Sequence, residues 1–453
     1  MAKERDTFKC AECGWTGPKW LGQCPQCQAW GSIDQIGAPQ RSSLQAGTVT
    51  TPAQPIKSVD AESAIAKSSG VSELDRVLGG GIVPGAAILL AGEPGVGKST
   101  LLLAVSAASA QTMRVLYITG EESASQVRLR AERMSALADN LYLAAESDLG
   151  AVIAHIEKVQ PDLLIVDSIQ TISTSTVDGS PGGVTQVREV AGALIRIAKA
   201  RSMATIVVGH VTKDGSIAGP RLLEHLVDVV LNFEGEKYTR LRLVRAIKNR
   251  FGATDEVGCF DLNESGIQGL ADPTGLFLTR HAEPVPGTCV TVALEGRRPL
   301  LAEIQALVSP VSSNANPRRT TSGLDSARAA MTLAVLELRA GIALAGRDAY
   351  LATVGGMKLS EPSADLALAL AVASAARGLA LPADLIAIGE VGLAGEVRKV
   401  SSVSQRLNEA ARLGFTKAIV PDMKSEIKVS GLEIFEVTRL TQALDRVRLL
   451  SQQ

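Results

Sequence analysis

The sequence has few aromatic residues and almost no net charge. Of its 453 residues 3% are aromatic, and 46 basic residues against 47 acidic ones leave a net charge of −1. Any nucleic-acid-binding surface is therefore local rather than spread over the molecule. No charge-free apolar run reaches the roughly 18 residues that cross a bilayer. Residues 1–6 carry charges of both signs and lack the apolar core of a signal peptide. We expect a globular cytoplasmic protein that does not engage a membrane.

Aromatic residues and cysteines are concentrated near the amino terminus. All three tryptophans and four of the six cysteines precede residue 31, and the next aromatic residue after Trp30 is Tyr117. The polar stretch that follows contains several Pro, Ser and Thr residues, a composition that is typical of a linker. Beyond it, short β-rich runs alternate with helical patterns, which predicts an α/β fold with a parallel sheet. Near residue 280 the sequence pattern changes again, and strand-like runs of a further domain begin. We predict a cysteine-rich module over 1–32, a linker over 33–66, an α/β domain over 67–280 and a second domain over 281–453.

Individual elements are predicted from these runs. The apolar β-rich stretches are typical of buried strands, and the longer stretches with a helical repeat are typical of amphipathic helices. We predict strands at 87–91, 115–119, 163–166 and 205–208, and helices at 125–134, 186–200, 326–340 and 363–376.

Four cysteines have the spacing of a structural zinc site. The pattern Cys-x2-Cys-x10-Cys-x2-Cys contains Cys10, Cys13, Cys24 and Cys27. Each Cys-x-x-Cys hairpin can present two thiolates to one tetrahedral ion, so two hairpins close a four-sulfur site. A redox role for the cysteines is the alternative, although a single pair would suffice for it. We predict that the four cysteines bind Zn²⁺.

A phosphate-binding loop lies between a predicted strand and a predicted helix. The segment GEPGVGKST matches the pattern G-x4-G-K-[ST] in the strand-to-helix context that the motif requires. Its glycines let backbone N–H groups turn towards phosphates, and the helix amino terminus adds positive potential. We expect Lys98 to reach the β- and γ-phosphates of ATP and Ser99 to bind Mg²⁺. The predicted nucleotide-binding residues are Gly92, Glu93, Pro94, Gly95, Val96, Gly97, Lys98, Ser99 and Thr100.

Two further strands end in carboxylates. The apolar strand at 163–166 is followed by Asp167, which we predict to lie near Mg²⁺, as in a Walker B strand. The strand at 115–119 is followed by Glu121 and Glu122, either of which could polarise the attacking water. We favour Glu121 as the catalytic base. The alternative is that Ser123 caps the next helix and that one glutamate is only solvated.

Two motifs resemble a known family. Residues 69–81, SGVSELDRVLGGG, resemble the entry to RecA-like and KaiC-like ATPase cores, and residues 248–252, KNRFG, resemble the short motif that distinguishes the RadA (Sms) family of bacterial DNA repair proteins. The four-cysteine amino terminus and a carboxyl-terminal part similar to the Lon protease domain complete the layout of that family. The resemblance covers essentially the whole chain.

The resemblance implies a fold and a function. It implies a RecA-like P-loop core, preceded by the zinc module and followed by an α+β Lon-protease-like domain. The function it implies is an ATP-dependent DNA motor or helicase in homologous recombination and DNA repair, which promotes branch migration of strand-exchange intermediates made by RecA. The implied partners are single-stranded DNA, branched recombination intermediates, RecA and further copies of the chain in a hexameric ring.

Several basic residues are candidates for the motor. In ring ATPases a cation from one subunit completes the neighbouring subunit's site, and the resemblance assigns this role to Lys248 and Arg250, which otherwise read as a solvated turn. Lys213 lies in a loop after a strand where RecA-like cores bind DNA, and its loop composition suits contact with phosphates. Arg318 and Arg319 form a small basic patch for which a plain surface role is an equal alternative.

Two other functions compete with the DNA motor: an ATP-dependent Lon-type serine protease and a KaiC-like regulator that does not act on DNA. Lon-type proteases use a serine–lysine dyad, and Ser363 falls on the position of the nucleophile. By the resemblance, Ser404 takes the place of the lysine, while Arg406 stays protonated and is no base. Asp365 adds negative charge where an oxyanion would form. We therefore predict a non-proteolytic domain in which Ser363 is the N-cap of the following helix.

Overall fold

The computed structural model describes residues 7–36, 53–59, 62–210, 223–235, 240–279, 284–311, 316–424 and 427–451. By its internal contacts the chain divides into two units, residues 1–61 and 62–453. In the first unit, β1 (Thr7–Cys10) lies between β2 (Thr16–Gly17) and β3 (Ile33–Ile36) in an antiparallel sheet. Its small core contains Cys10, Cys24 and Ile33.

The first part of the larger unit is built on a nine-stranded sheet. The order of its strands is β12-β11-β10-β9-β4-β8-β7-β5-β6. The strands are β4 (Ala87–Gly92), β5 (Val115–Thr119), β6 (Leu141–Ala145), β7 (Leu163–Asp167), β8 (Ala204–His210), β9 (Val229–Glu234), β10 (Leu241–Asn249), β11 (Val257–Asn263) and β12 (Gly266–Gly269). The helices are α1 (Ser72–Leu78), α2 (Lys98–Ser109), α3 (Ala124–Arg133), α4 (Leu149–Val159) and α5 (Val184–Arg201).

The predicted parallel sheet is present, and it continues into antiparallel strands. The six strands from β9 to β6 are parallel, and β4, β5 and β7 are buried along their whole length because apolar clusters cover both faces. Strands β10, β11 and β12 add antiparallel pairs at one edge. The alternation of half-buried and buried residues in β10 is typical of such an antiparallel strand.

A seven-stranded sheet forms the second part of the larger unit. The order of its strands is β15-β16-β14-β13-β17-β20-β21, and β18 and β19 form a separate pair. The strands are β13 (Thr288–Glu295), β14 (Arg298–Pro310), β15 (Arg319–Ser322), β16 (Arg347–Thr353), β17 (Leu385–Ala387), β18 (Glu390–Val391), β19 (Val397–Arg398), β20 (Lys417–Pro421) and β21 (Glu433–Val437). The helices are α6 (Ser326–Ala340), α7 (Asp365–Arg377), α8 (Val403–Arg412) and α9 (Leu440–Leu450).

Helix α7 is the centre of this second part. Its first ten residues are all buried, as expected for a helix that is apolar all round. Helix α8 contributes to a second apolar cluster that also contains residues of β13, β14, β17 and β20. Within the described residues, no helix is both long and apolar enough to cross a membrane.

A buried ion pair joins the two parts of the larger unit. Arg298, at the start of β14, pairs with Glu73 on α1, and both side chains are almost fully buried. Arg298 also donates to the backbone oxygens of Val257, Leu270 and Ala271. Helix α1, which precedes the phosphate loop, is thereby tied to the second sheet.

Candidate functional site

The four cysteine sulfurs of the first unit lie together. All four lie within 4.8 Å of one another, and the Sγ atoms of Cys10 and Cys27 are 3.7 Å apart, those of Cys13 and Cys24 3.6 Å. A tetrahedron with Zn–S bonds of about 2.3 Å has S···S edges of about 3.8 Å, so the cluster fits Zn²⁺. The Ser32 hydroxyl, helped by a backbone N–H, lowers the pKa of Cys10 to about 6. The predicted zinc module is confirmed as a four-cysteine cluster.

The phosphate loop connects the carboxyl end of β4 to α2, which begins at Lys98. Gly97 has a φ of 108°, and a Cβ at Gly92 would lie 2.5 Å from the carbonyl oxygen of Phe233, so both positions require glycine. The Lys98 ammonium is buried and donates to the carbonyl oxygens of Gly92 and Glu93, at 2.8 and 2.9 Å. Burial lowers the pKa of Lys98, although Asp167 and Glu121 oppose that shift.

Asp167 is the last residue of β7, beside the carboxyl end of β5. Its Oδ2 accepts a hydrogen bond of 2.6 Å from the phenol of Tyr117 on β5. Burial, followed by the Asp167 charge, raises the pKa of Tyr117 well above its usual value, so the phenol stays protonated. The Asp167 carboxylate is thus held in place by a buried side chain of the neighbouring strand β5.

The two adjacent glutamates have different partners. Glu122 pairs with Arg130, with 2.8 Å between Oε1 and Nη1, while Ser123 caps α3 in a capping box with Gln126. Glu121 accepts a hydrogen bond of 2.7 Å from the hydroxyl of Ser168, the residue after Asp167. Glu121 is therefore held beside Ser168 at the carboxyl ends of β5 and β7, and its charge, like that of Asp167, acts to raise the pKa of Lys98, whereas Glu122 is paired with a helix residue.

These groups fit a magnesium nucleotide. A Lys98 cation, a Ser99 hydroxyl and an Asp167 carboxylate near the start of a helix are the donors that phosphates and Mg²⁺ prefer. Lys98 and the loop N–H groups would bind phosphate oxygens, and Asp167 with Ser99 would hold the metal, which when bound neutralises charge on the γ-phosphate.

Lys248 and Arg250 lie at the opposite end of the sheet, where its parallel strands begin. The Lys248 ammonium donates to the carbonyl oxygens of Glu224 and Val227, and Arg250 Nη1 lies 3.0 Å from Asp228 Oδ1. Asp228 also accepts from the backbone N–H of Ala87, the first residue of β4. The phosphate loop follows the last residue of β4, so the length of that six-residue strand, about 17 Å, separates these cations from the loop of the same chain.

The predicted DNA-contacting residues are described only in part. Arg319 is the first residue of the edge strand β15, Arg318 precedes it, and both are exposed. The guanidinium of Arg319 donates to the carbonyl oxygens of Arg347 and Leu344. Lys213 lies outside the described residues.

The prediction that Ser363 caps a helix is wrong. Helix α7 begins at Asp365, its N-cap is Ala364, and Ser363 is buried inside the preceding 3-10 turn. The reason is a buried arginine. Arg406 Nη1 lies 3.0 Å from Ser363 Oγ, and Nη1 and Nη2 of the same guanidinium both donate to the Glu361 carboxylate.

The side chain facing Ser363 is thus Arg406 rather than the predicted Ser404, which is exposed on α8. A guanidinium cannot take a proton from the serine at neutral pH. Asp365 is tied to Arg328 and accepts from the backbone N–H of Val391.

Sequence reasoning missed three residues of these sites. Tyr117 and Ser168 contact the two carboxylates, and Arg406 fills the place beside Ser363. Tyr117 carried one signal, because it is a phenol between the apolar Leu116 and Ile118 of β5. Arg406 carried another, since it recurs with the apolar positions 403, 407 and 410 of α8.

Three family models match separate parts of the chain. The model described as an AAA domain matches residues 52–216, and the one described as a rubredoxin metal binding domain matches residues 8–35. The third, described as subunit ChlI of Mg-chelatase, matches residues 353–424, within the second sheet and α7 and α8.

Full-length relatives are similar over nearly the whole chain. A DNA repair protein RadA of Mycolicibacterium smegmatis is 53% identical, covering 99% of this chain and 98% of that protein. Proteins of the same name are 52% identical in Mycobacterium tuberculosis, over 98% and 93%, and 46% identical in Streptococcus pyogenes, over 99% and 100%. Among solved structures, a KaiC-like protein of Pyrococcus horikoshii is 20% identical with a TM-score of 0.39, over 46% of this chain and 99% of that one.

Proposed function

The chain belongs to the RadA family of DNA repair proteins, and from this premise we propose that it is a DNA-stimulated ATPase that moves along DNA in homologous recombination. The observation that carries the proposal is the assembly of Lys98, Asp167 and Glu121 at the carboxyl edge of parallel strands. We propose branch migration of intermediates made by RecA as the task, with single-stranded and branched DNA and RecA as partners.

In this proposal Glu121 acts as the general base. Its carboxylate interacts electrostatically with the buried Lys98 and is oriented by the Ser168 hydroxyl, so it can accept a proton from a water aligned with the γ-phosphate. Glu122 is left out because its charge is balanced by Arg130.

Lys248 and Arg250 act on a second subunit. About one strand length separates them from the phosphate loop of their own chain, so they reach a nucleotide only across an interface. A closed ring, for which we propose six subunits, gives every nucleotide such a neighbour. Arg250 is the better partner for γ-phosphate charge, because 56% of its side chain is exposed and its planar fork suits phosphate.

A peptidase function is not supported by the second part of the larger unit. The hydroxyl of Ser363 is buried and accepts from Arg406, a group that donates protons in hydrogen bonds and does not remove them. We propose that this part assembles rings and offers a platform for DNA.

The test is ATP turnover by the full-length protein with and without single-stranded DNA. We expect DNA to raise kcat several-fold and Lys98→Ala to abolish turnover. The control is Lys158→Ala, at an exposed position near the end of α4, which should keep both the turnover and its stimulation by DNA. Equal turnover with and without DNA would favour the KaiC-like regulator.

A further inference from the structure

Tyr117 is a buried phenol that binds the carboxylate of the nucleotide site. Its hydroxyl donates to Asp167 Oδ2 at 2.6 Å, and the two residues are only 1% and 8% exposed. Strands β5 and β7 pair Tyr117 with Ile165, so Asp167, two residues further, lies on the same face of the sheet as the phenol. The contact is therefore a consequence of strand register.

The hydrogen bond from Tyr117 occupies one oxygen of the Asp167 carboxylate and leaves the second oxygen available to a ligand. With Oδ2 held by the phenol, rotation about the last side-chain bond of Asp167 is restricted, and Oδ1 is the oxygen left for a cation. The neighbouring carboxylate is held separately, since Ser168 donates to Glu121. Two hydroxyls thus hold the two carboxylates, one each.

We propose that Tyr117 is a positioning residue for the divalent cation, which presents Asp167 to the phosphate loop and so sets the Mg²⁺ concentration that the nucleotide site requires. The inference rests on the proposed function, because it assumes that the loop binds a magnesium nucleotide. A core tyrosine with a purely structural role would leave the Mg²⁺ requirement unchanged when its hydroxyl is removed.

The experiment uses the full-length protein without DNA. Binding of a fluorescent, non-hydrolysable ATP analogue is titrated with Mg²⁺ for the wild type and Tyr117→Phe. We expect the Mg²⁺ concentration at half-saturation to rise on the order of tenfold, the effect of losing one hydrogen bond to a charged group. In EDTA the two proteins should bind the analogue equally. With ATP at saturating Mg²⁺, their kcat values for hydrolysis should agree within about twofold.

Two control variants separate this effect from general damage. Tyr142→Phe removes the hydroxyl of a half-exposed tyrosine on the next strand, β6, and should change nothing. Ser168→Ala loses the hydroxyl beside Glu121, so it should lower kcat and keep the wild-type Mg²⁺ requirement.

An unchanged Mg²⁺ requirement in Tyr117→Phe, or an equal weakening of binding in EDTA, overturns the inference. So does a tenfold shift from Tyr117→Phe in an Asp167→Asn background, where the bond to a charge is already absent. The proposed function fails separately: a shifted Mg²⁺ requirement in a protein whose turnover ignores DNA supports the role of Tyr117 and rejects the motor.

Discussion

At the scale of single residues, hydrogen-bond partners assign different roles to chemically similar groups. Glu121 and Glu122 are adjacent in the chain, yet one accepts from Ser168 and the other pairs with Arg130. Ser168 is 47 residues from Glu121 in the chain, whereas Arg130 lies on the helix that follows Glu122, and composition encodes neither contact. The sequence identifies the pair, and the hydrogen-bond partners in the structure distinguish its two members.

The first prediction concerns this pair. Glu121→Gln should lower kcat by at least about a hundredfold, the usual contribution of a general base, and leave ATP binding intact. Glu122→Gln, the matched control, should stay within about threefold of the wild type. Steady-state turnover and equilibrium nucleotide binding measure the two effects. The reverse ranking of the two variants would reassign the base to Glu122.

The second prediction concerns Arg406. Burial alone would raise the pKa of Glu361, but the hydrogen bonds from Arg406 and Ser363 outweigh it and lower that pKa. Arg406→Met leaves a partly buried carboxylate without its partner and should cost about 3–5 kcal/mol of unfolding free energy, measured in urea. Arg412→Met, which breaks an exposed pair on the same helix, should cost at most about 1 kcal/mol.

The pH dependence has a definite sign. A depressed pKa of Glu361 stabilises the fold above the unfolded-state pKa, and this contribution disappears as the pH falls through the lower, folded-state pKa. The difference in stability between wild type and Arg406→Met should therefore shrink on acidification. A difference that stays constant between pH 7 and pH 3 would contradict the ion-pair account.

At the scale of elements, much of the fold follows from sequence pattern. The predicted strand at 115–119 and helix at 326–340 agree with β5 and α6 residue for residue, because the strand is a short, fully buried β-rich run and the helix has a long apolar repeat. The antiparallel extension β10–β12 was not predicted, because an apolar run does not indicate in which direction a strand pairs; its strands in fact pair with their sequence neighbours. The helix cap at Ser363 was wrong for a different reason, because its hydrogen-bond partner Arg406 is 43 residues away.

The third prediction concerns the cysteine module. Purified protein should contain about one Zn²⁺ per chain, because the four sulfurs lie within 4.8 Å of one another, close enough to bind one ion together. The double variant Cys24→Ala, Cys27→Ala should lose the metal, while Cys259→Ala, a buried cysteine outside the cluster, should keep it. Elemental analysis decides, and a zinc-free wild type or a double variant that retains zinc rejects the assignment.

At the scale of the whole molecule, the phosphate loop and Arg250 lie at opposite ends of the parallel strands, and our proposal that Arg250 acts on a neighbouring subunit depends on this separation. The fourth prediction follows. Lys98→Ala and Arg250→Ala subunits should each be inactive alone, and mixed rings should recover part of the turnover, because some interfaces combine an intact loop with an intact arginine. Absence of recovery in rings shown to be mixed would count against action across the interface.

The central claim is that ATP hydrolysis moves this protein along DNA, and displacement of a labelled strand from a branched DNA substrate tests it most directly. We predict displacement by the wild type with ATP, none with a non-hydrolysable analogue, and none by Lys98→Ala at equal DNA binding. Displacement at the wild-type rate by Lys98→Ala, or none by a wild type that hydrolyses ATP on the same DNA, would contradict the account.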